Sequence, residues 1–148
     1  MASPTDGKVS RVAKAPTVES VVLSGIGAWN DDDREAFIAL TDPEVLWITS
    51  GVFPGLRSEY RGHSGLREFW DDFQEPWERL HIEVERVAEI APDAALVQAH
   101  FHAKGRDGIE VDRAMANHFV IRDEKLIRMR VYGDWDEALA DLGVPDPS

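Results

Sequence analysis

The chain has 148 residues, 43% of them hydrophobic and 30% charged, which suits one domain burying roughly two-thirds of its unfolded surface. Sixteen Lys and Arg against 28 Asp and Glu leave a net charge of −12, a field that repels phosphate backbones and anionic membranes and points to a small neutral or cationic partner. Cysteine is absent, which excludes disulfides, thiolate nucleophiles and cysteine-held metals and fits a cytoplasmic location.

The first 16 residues, with Lys8, Arg11 and Lys14 but no continuous apolar core, read as a flexible arm and not as a secretory signal. No stretch approaches the 18 or so apolar residues of a membrane span. The expected domain covers 17–144, with 145–148 as a tail.

From Thr17 onward, Val18, Val21, Val22, Ile26 and Trp29 share one helical face. "NDDDREAFIALTDP" breaks that helix, offers acidic N-caps and starts a short helix that stops before Pro43. "EVLWITS" reads as a strand, and "GVFPGLRSEYRG" as a loop with room for a short extended piece.

A second helix face follows: Leu66, Phe69, Trp70, Phe73, Trp77 and Leu80 recur at helical spacing, with Ser64 as the expected N-cap and Pro76 as a kink or stop. Three alternating segments come next. "HIEVERVAEI" and "AALVQAHFHAKG" give one strand each, and "EVDRAMANHFVIRDEKLIRMRVY" gives two around a turn at Asp123-Glu124. "DWDEALADLG" closes the chain with a capping-box spacing from Asp134 to Glu137 and a glycine stop at Gly143. Segregated helices and strands predict an α+β fold with helices on one face of an antiparallel sheet.

The order of these elements, with "YRGHSGLREFW", "NHFVIRDEKLIRMRVY" and the closing "DWDEALADLG", resembles the SnoaL-like branch of the nuclear transport factor 2-like superfamily over residues 17–144. The resemblance implies a cone-shaped α+β barrel, a curved mixed or antiparallel sheet wrapped around a pocket, and a homodimer. It admits isomerases, cyclases, dehydratases, epoxide hydrolases and non-catalytic modules. The carry-over of catalytic residues fails. Gly25 aligns with the ketosteroid isomerase tyrosine, Ile48 with its general base and Ala116 with its second oxyanion donor, while Val131 aligns with an epoxide hydrolase aspartate. The arginine and aspartate of the epoxide hydrolase pocket fall at His100 and His102.

Strand parity supplies other candidates. A regular two-residue turn at Asp123-Glu124 sets Ala116, His118 and Val120 with Ile127, Met129 and Val131 on one apolar face, taken as the pocket face. His118 is then the candidate base and Asp112 its orienting acid, an imidazole and a carboxylate being suited to proton transfer. The other face, with Phe119, Ile121, Leu126 and Tyr132, supplies an apolar patch for the homodimer. His100 and His102 share a face and make half of a metal site. A tight turn at Arg106-Asp107 sends Val97, Ala99, Phe101 and Ala103 inward and the two histidines outward. A loop of odd length brings His100 and His102 beside Asp112 and His118. His63 stands at the helix entry, where the resemblance places the cavity mouth. Trp47, Tyr60, Trp70, Phe73, Met129 and Val131 complete the expected pocket. The implied function is a cofactor-free, metal-free isomerase, dehydratase or cyclase acting on a small apolar or aromatic molecule, or a binding module of the same fold.

Overall fold

The computed structural model describes residues 16–49 and 55–147. The expected arm, Pro16 apart, lies outside them, as does part of the glycine- and proline-punctuated loop. The element order is α1 (Val18–Asn30), α2 (Arg34–Ala39), β1 (Thr41–Ile48), β2 (Glu59–Arg61), α3 (Gly62–Gln74), β3 (Trp77–Ala91), β4 (Ala94–Gly105), β5 (Glu110–Arg122), β6 (Lys125–Tyr132) and α4 (Trp135–Leu142).

Local chemistry explains several boundaries. Thr17 caps α1 by accepting from Ser20 N at 3.1 Å, and Asp33 does the same for α2 from Ala36 N. At α4, Asp134 accepts from Glu137 N at 2.8 Å while Glu137 accepts from Gly133 N at 3.0 Å, and Gly143 ends the helix at φ 68°. α3 differs from expectation. Its cap position is Arg61, with no side-chain cap bond, and Ser64 lies inside its first turn. Gly62 turns the chain at φ 71°, where a Cβ would stand 3.2 Å from the Pro43 carbonyl oxygen. The helix ends at Gln74, with Glu75 as its cap, since Pro76 has no N–H to donate to the next turn. Trp77 and Leu80, expected on the helix stripe, therefore belong to β3.

The six strands form one curved sheet in the order β2-β1-β6-β5-β4-β3. β1 runs parallel to β6 and every other pairing is antiparallel, so the sheet is mixed. Helices α1, α2 and α3 fill its concave side through one apolar cluster that includes Val22, Trp29, Phe37, Phe69 and Val97. On the opposite side, Trp135 and Ala138 of α4 cover Leu96, Ala116 and Tyr132. The nuclear transport factor 2-like fold is this arrangement of a curved sheet around helices.

Two strand registers depart from the regular ladder, and they decide which side chains meet. The Asp123-Glu124 turn is present, both residues having positive φ (52° and 68°). Beyond it Ile121 pairs with Leu126 but Val120 pairs with Arg128, leaving Ile127 as a bulge. The face assignment expected for β5 is therefore corrected. Met129 and Val131 share their face with Phe119 and Asn117, whereas His118 and Ala116 point to the other side with Arg130 and Tyr132. Between β4 and β5, Lys104 pairs with Glu110 and Gly105 N bonds Ile109 O at 2.7 Å, so the loop is odd in length. It turns Asp112 outward beside His102. The patch expected to bury a homodimer dissolves: Phe119 and Leu126 turn inward and are 6% and 1% exposed, and Tyr132, 4% exposed, lies under α4.

Candidate functional site

The concave side holds a half-open cavity of about 70 Å³ between helices and sheet. α1 contributes Val22, Gly25, Ile26 and Trp29, α2 contributes Phe37, and α3 contributes Phe69 and Phe73. The sheet contributes Trp47, Ile82, Met115, Asn117, Phe119, Leu126, Met129 and Val131, with Thr49 just after β1. The aromatics brace one another. Trp29 stands 5.8 Å from Phe37 and 5.7 Å from Phe69, and Trp47 stands 5.4 Å and 5.8 Å from the same two rings. Each indole is 5% exposed, yet neither Nε1 has a hydrogen-bond partner. Asn117 Nδ2 reaches only the Met129 thioether, at 3.6 Å. The Thr49 hydroxyl donates to the Arg57 carbonyl.

No side chain in this lining titrates. The space is also small beside an engineered apolar cavity of roughly 150 Å³ that takes up benzene. The aromatic stripe of α3 is thus both core and roof: Phe69 and Phe73 border the void, while Trp70 packs behind it against Trp29, ring centres 4.5 Å apart.

Of the residues expected at the pocket, Trp47, Phe73, Met129 and Val131 line the cavity; Tyr60 and Trp70 do not. Tyr60 is 2% exposed and donates its hydroxyl to Asp72 at 3.0 Å. His63 Nε2 meets the Thr41 carbonyl at 3.0 Å and ties the start of α3 to β1.

His118 lies on the sheet's other face, between Leu96 and Arg130 in the ladder. It is 8% exposed and its Nδ1 has no partner. Burial, and secondarily Arg128, depress its pKa against a weaker opposing pull from Asp93. Asp112 is six positions away on the same strand, about 20 Å by strand rise, so it cannot orient that imidazole.

Asp112 instead joins a partly exposed cluster with His100 and His102. His100 Nε2 is 2.6 Å from Asp112 Oδ1 and its Nδ1 is 3.5 Å from Glu85; His102 Nε2 is 3.0 Å from Glu83 and its Nδ1 is 3.3 Å from Asp112 Oδ2. The two rings stack with centres 5.2 Å apart. Carboxylates thus occupy both nitrogens of each ring. Among the described residues, no set of three or more His, Asp or Glu is arranged to hold a metal ion.

Sequence reasoning missed Trp29, Phe37, Thr49, Met115, Asn117 and Phe119 as cavity residues. Alternation from Met129 and Val131 finds Asn117 and Phe119 once Ile127 is counted as a bulge.

Solved structures share this architecture. TerC co-crystallised with polyporic acid is 21% identical, with a TM-score of 0.71 over 84% of this chain and 96% of that one. A Mycobacterium tuberculosis protein in complex with estradiol-17beta-hemisuccinate is 19% identical, with a TM-score of 0.69 over 83% and 97%. An NTF2-like protein of unknown function from Burkholderia pseudomallei is 14% identical, with a TM-score of 0.73 over 83% and 95%. The fold is therefore nuclear transport factor 2-like. Within it, the profile of the SnoaL-like domain matches residues 24–129, and the chain belongs to that family. No curated protein matches the sequence.

Proposed function

We propose that this SnoaL-like chain is a binding module for a small, neutral, largely apolar molecule held in the concave cavity. The carrying observation is the lining: indole, phenyl, aliphatic and thioether groups, one amide and one hydroxyl, with nothing that titrates. Side-chain general acid–base catalysis contributes about 10²–10⁴-fold where it operates, and it needs a proton donor or acceptor against the reacting atom. His118, the base expected from the sequence, sits behind the sheet. Similar folds crystallised with organic molecules support the small-molecule reading. Among the described residues, no helix is long and apolar enough to cross a membrane. A homodimer, resting on the family resemblance, and a cytoplasmic location, resting on the absence of cysteine, stay part of the proposal.

The test is equilibrium binding of acetone against acetate, which are of similar size and differ in charge. Acetone is expected to bind, and acetate at least tenfold more weakly, because the cavity has no cation to meet a buried carboxylate. Equal affinities, or isomerisation or dehydration of a bound compound at enzymic rates, would overturn the binding-module reading.

A further inference from the structure

Strand β3 is one edge of the sheet and, at 15 residues, its longest strand, whereas the other edge, β2, has three. A long open edge presents a row of backbone N–H and C=O groups that another chain can join. The ladder from β3 to β4 is regular from Arg79 to Val84, with bulges on either side at Glu78 and Glu85. At the middle of this stretch Asn30, the last residue of α1, holds the backbone of Ile82 twice. Its Nδ2 donates to Ile82 O at 2.9 Å, and its Oδ1 accepts from Ile82 N at 2.8 Å. In an antiparallel ladder the N–H and C=O of one residue point to the same side, and those of the next residue to the other. Ile82 therefore turns both groups to the open edge, as Leu80 and Val84 do. The Asn30 amide meets them as the backbone of a further strand would.

The segment Leu80-His81-Ile82-Glu83-Val84 is complementary to itself. Two copies laid antiparallel about Ile82 put Leu80 opposite Val84 on the concave face and His81 opposite Glu83 on the outer face, twice each. Ile82 then stands opposite itself and exchanges both hydrogen bonds with its counterpart. His81 and Glu83 are exposed, and Leu80 and Val84 are half-buried. A second copy thus fits this edge by apolar pairing on one face and charge pairing on the other. We propose that Asn30 is a plug: its amide occupies the centre of a self-complementary edge and keeps two copies from joining through β3 into one continuous sheet.

Asn30→Ala is expected to raise the weight-average mass by light scattering about twofold over the wild type at equal micromolar concentration. Asn30→Asp keeps the shape and the acceptor but has no donor for Ile82 O at neutral pH, and should do the same. Adding Ile82→Pro to either should return the mass to the wild-type value, because proline removes the N–H aimed at the edge and is tolerated on edge strands. A folded Asn30 variant with the wild-type mass would overturn the proposal. So would added mass that Ile82→Pro leaves in place, which would mean association through exposed core. The wild type supplies a reading that needs no variant to fold. Its Ile82 amide should exchange with solvent at least about tenfold more slowly than those of Leu80 and Val84, and equal rates would show the plug open and overturn the proposal.

Discussion

The hydrogen bond that His102 donates to Glu83 holds the His102 pKa above its ordinary value, with burial opposing it and Asp112 reinforcing it. A raised pKa in the fold means that this stabilisation is complete below the unfolded value of roughly 6.5 and is lost as pH rises through the folded one. His118 runs the other way. Burial depresses its pKa, so its neutral form is favoured in the fold, and stability is lost as pH falls from roughly 6.5 toward the folded value. Thermal melts across pH should therefore respond oppositely to two variants. His102→Gln is expected to flatten the loss above about pH 6.5, and His118→Gln the loss below it. If His118→Gln leaves the acid limb unchanged, burial is not what depresses that histidine. The separation of Asp112 from His118 was legible all along, since six residues on one strand span about 20 Å whatever the face. Their shared outward orientation was not, because it depends on two backbone irregularities.

One of those irregularities is the Ile127 bulge. By adding one residue to β6, it turns Met129 and Val131 inward and sends Arg128 and Arg130 outward. Deleting Ile127 would remove the bulge and leave the pairs beyond it in place, Arg128 opposite Val120 and Met129 opposite Phe119, so neither face changes its side chains. The expected result is a chain that still unfolds cooperatively by circular dichroism; loss of cooperative unfolding would show that the bend of β6 needs the extra residue. Helix α1 offers a milder test. Gly27 lies mid-helix in α1, and a Cβ there meets nothing within 4 Å. Gly27→Ala should stabilise by about 0.5–1 kcal/mol in urea unfolding. Helix positions, the capping box of α4 and the alternation of β4 were readable because each rests on contacts within a few residues. The end of α3 was half readable: Pro76 announced a stop, but Trp77 and Leu80 continued the helical spacing by coincidence and serve the strand. Bulges carry no comparable local mark, which is why the inward set on β5 came out reversed.

For the molecule as a whole, charge is the dominant global term. A net −12 opposes compaction by self-repulsion, and added salt screens it. The melting temperature is expected to rise between about 10 and 200 mM sodium chloride, where the screening length falls from roughly 30 to 8 Å; a decrease would mean that the surface ion pairs outweigh the repulsion. Assembly follows a similar logic. Among the described residues, only Leu23 and Ile109 are large hydrophobics left exposed, while Trp77, Leu80 and Val84 of edge strand β3 are partly so, and a homodimer would combine such residues with polar surface. Light scattering should return about twice 16.6 kDa at micromolar concentration, and a value that falls on adding salt would mark ionic contacts. The fold was legible in the sequence because its element order and caps recur in the family. The size of the void was not, since it depends on how five tryptophans and six phenylalanines interlock.

The titration-silent lining has a calorimetric consequence. A ligand that neither carries a proton nor meets a group that exchanges one takes up and releases none on binding. Its measured heat should then be identical in phosphate, imidazole and Tris, buffers whose own ionisation heats differ widely, and the slope of heat against buffer enthalpy should be zero. A non-zero slope would count the protons moved and reveal a titrating group coupled to the cavity from outside its wall.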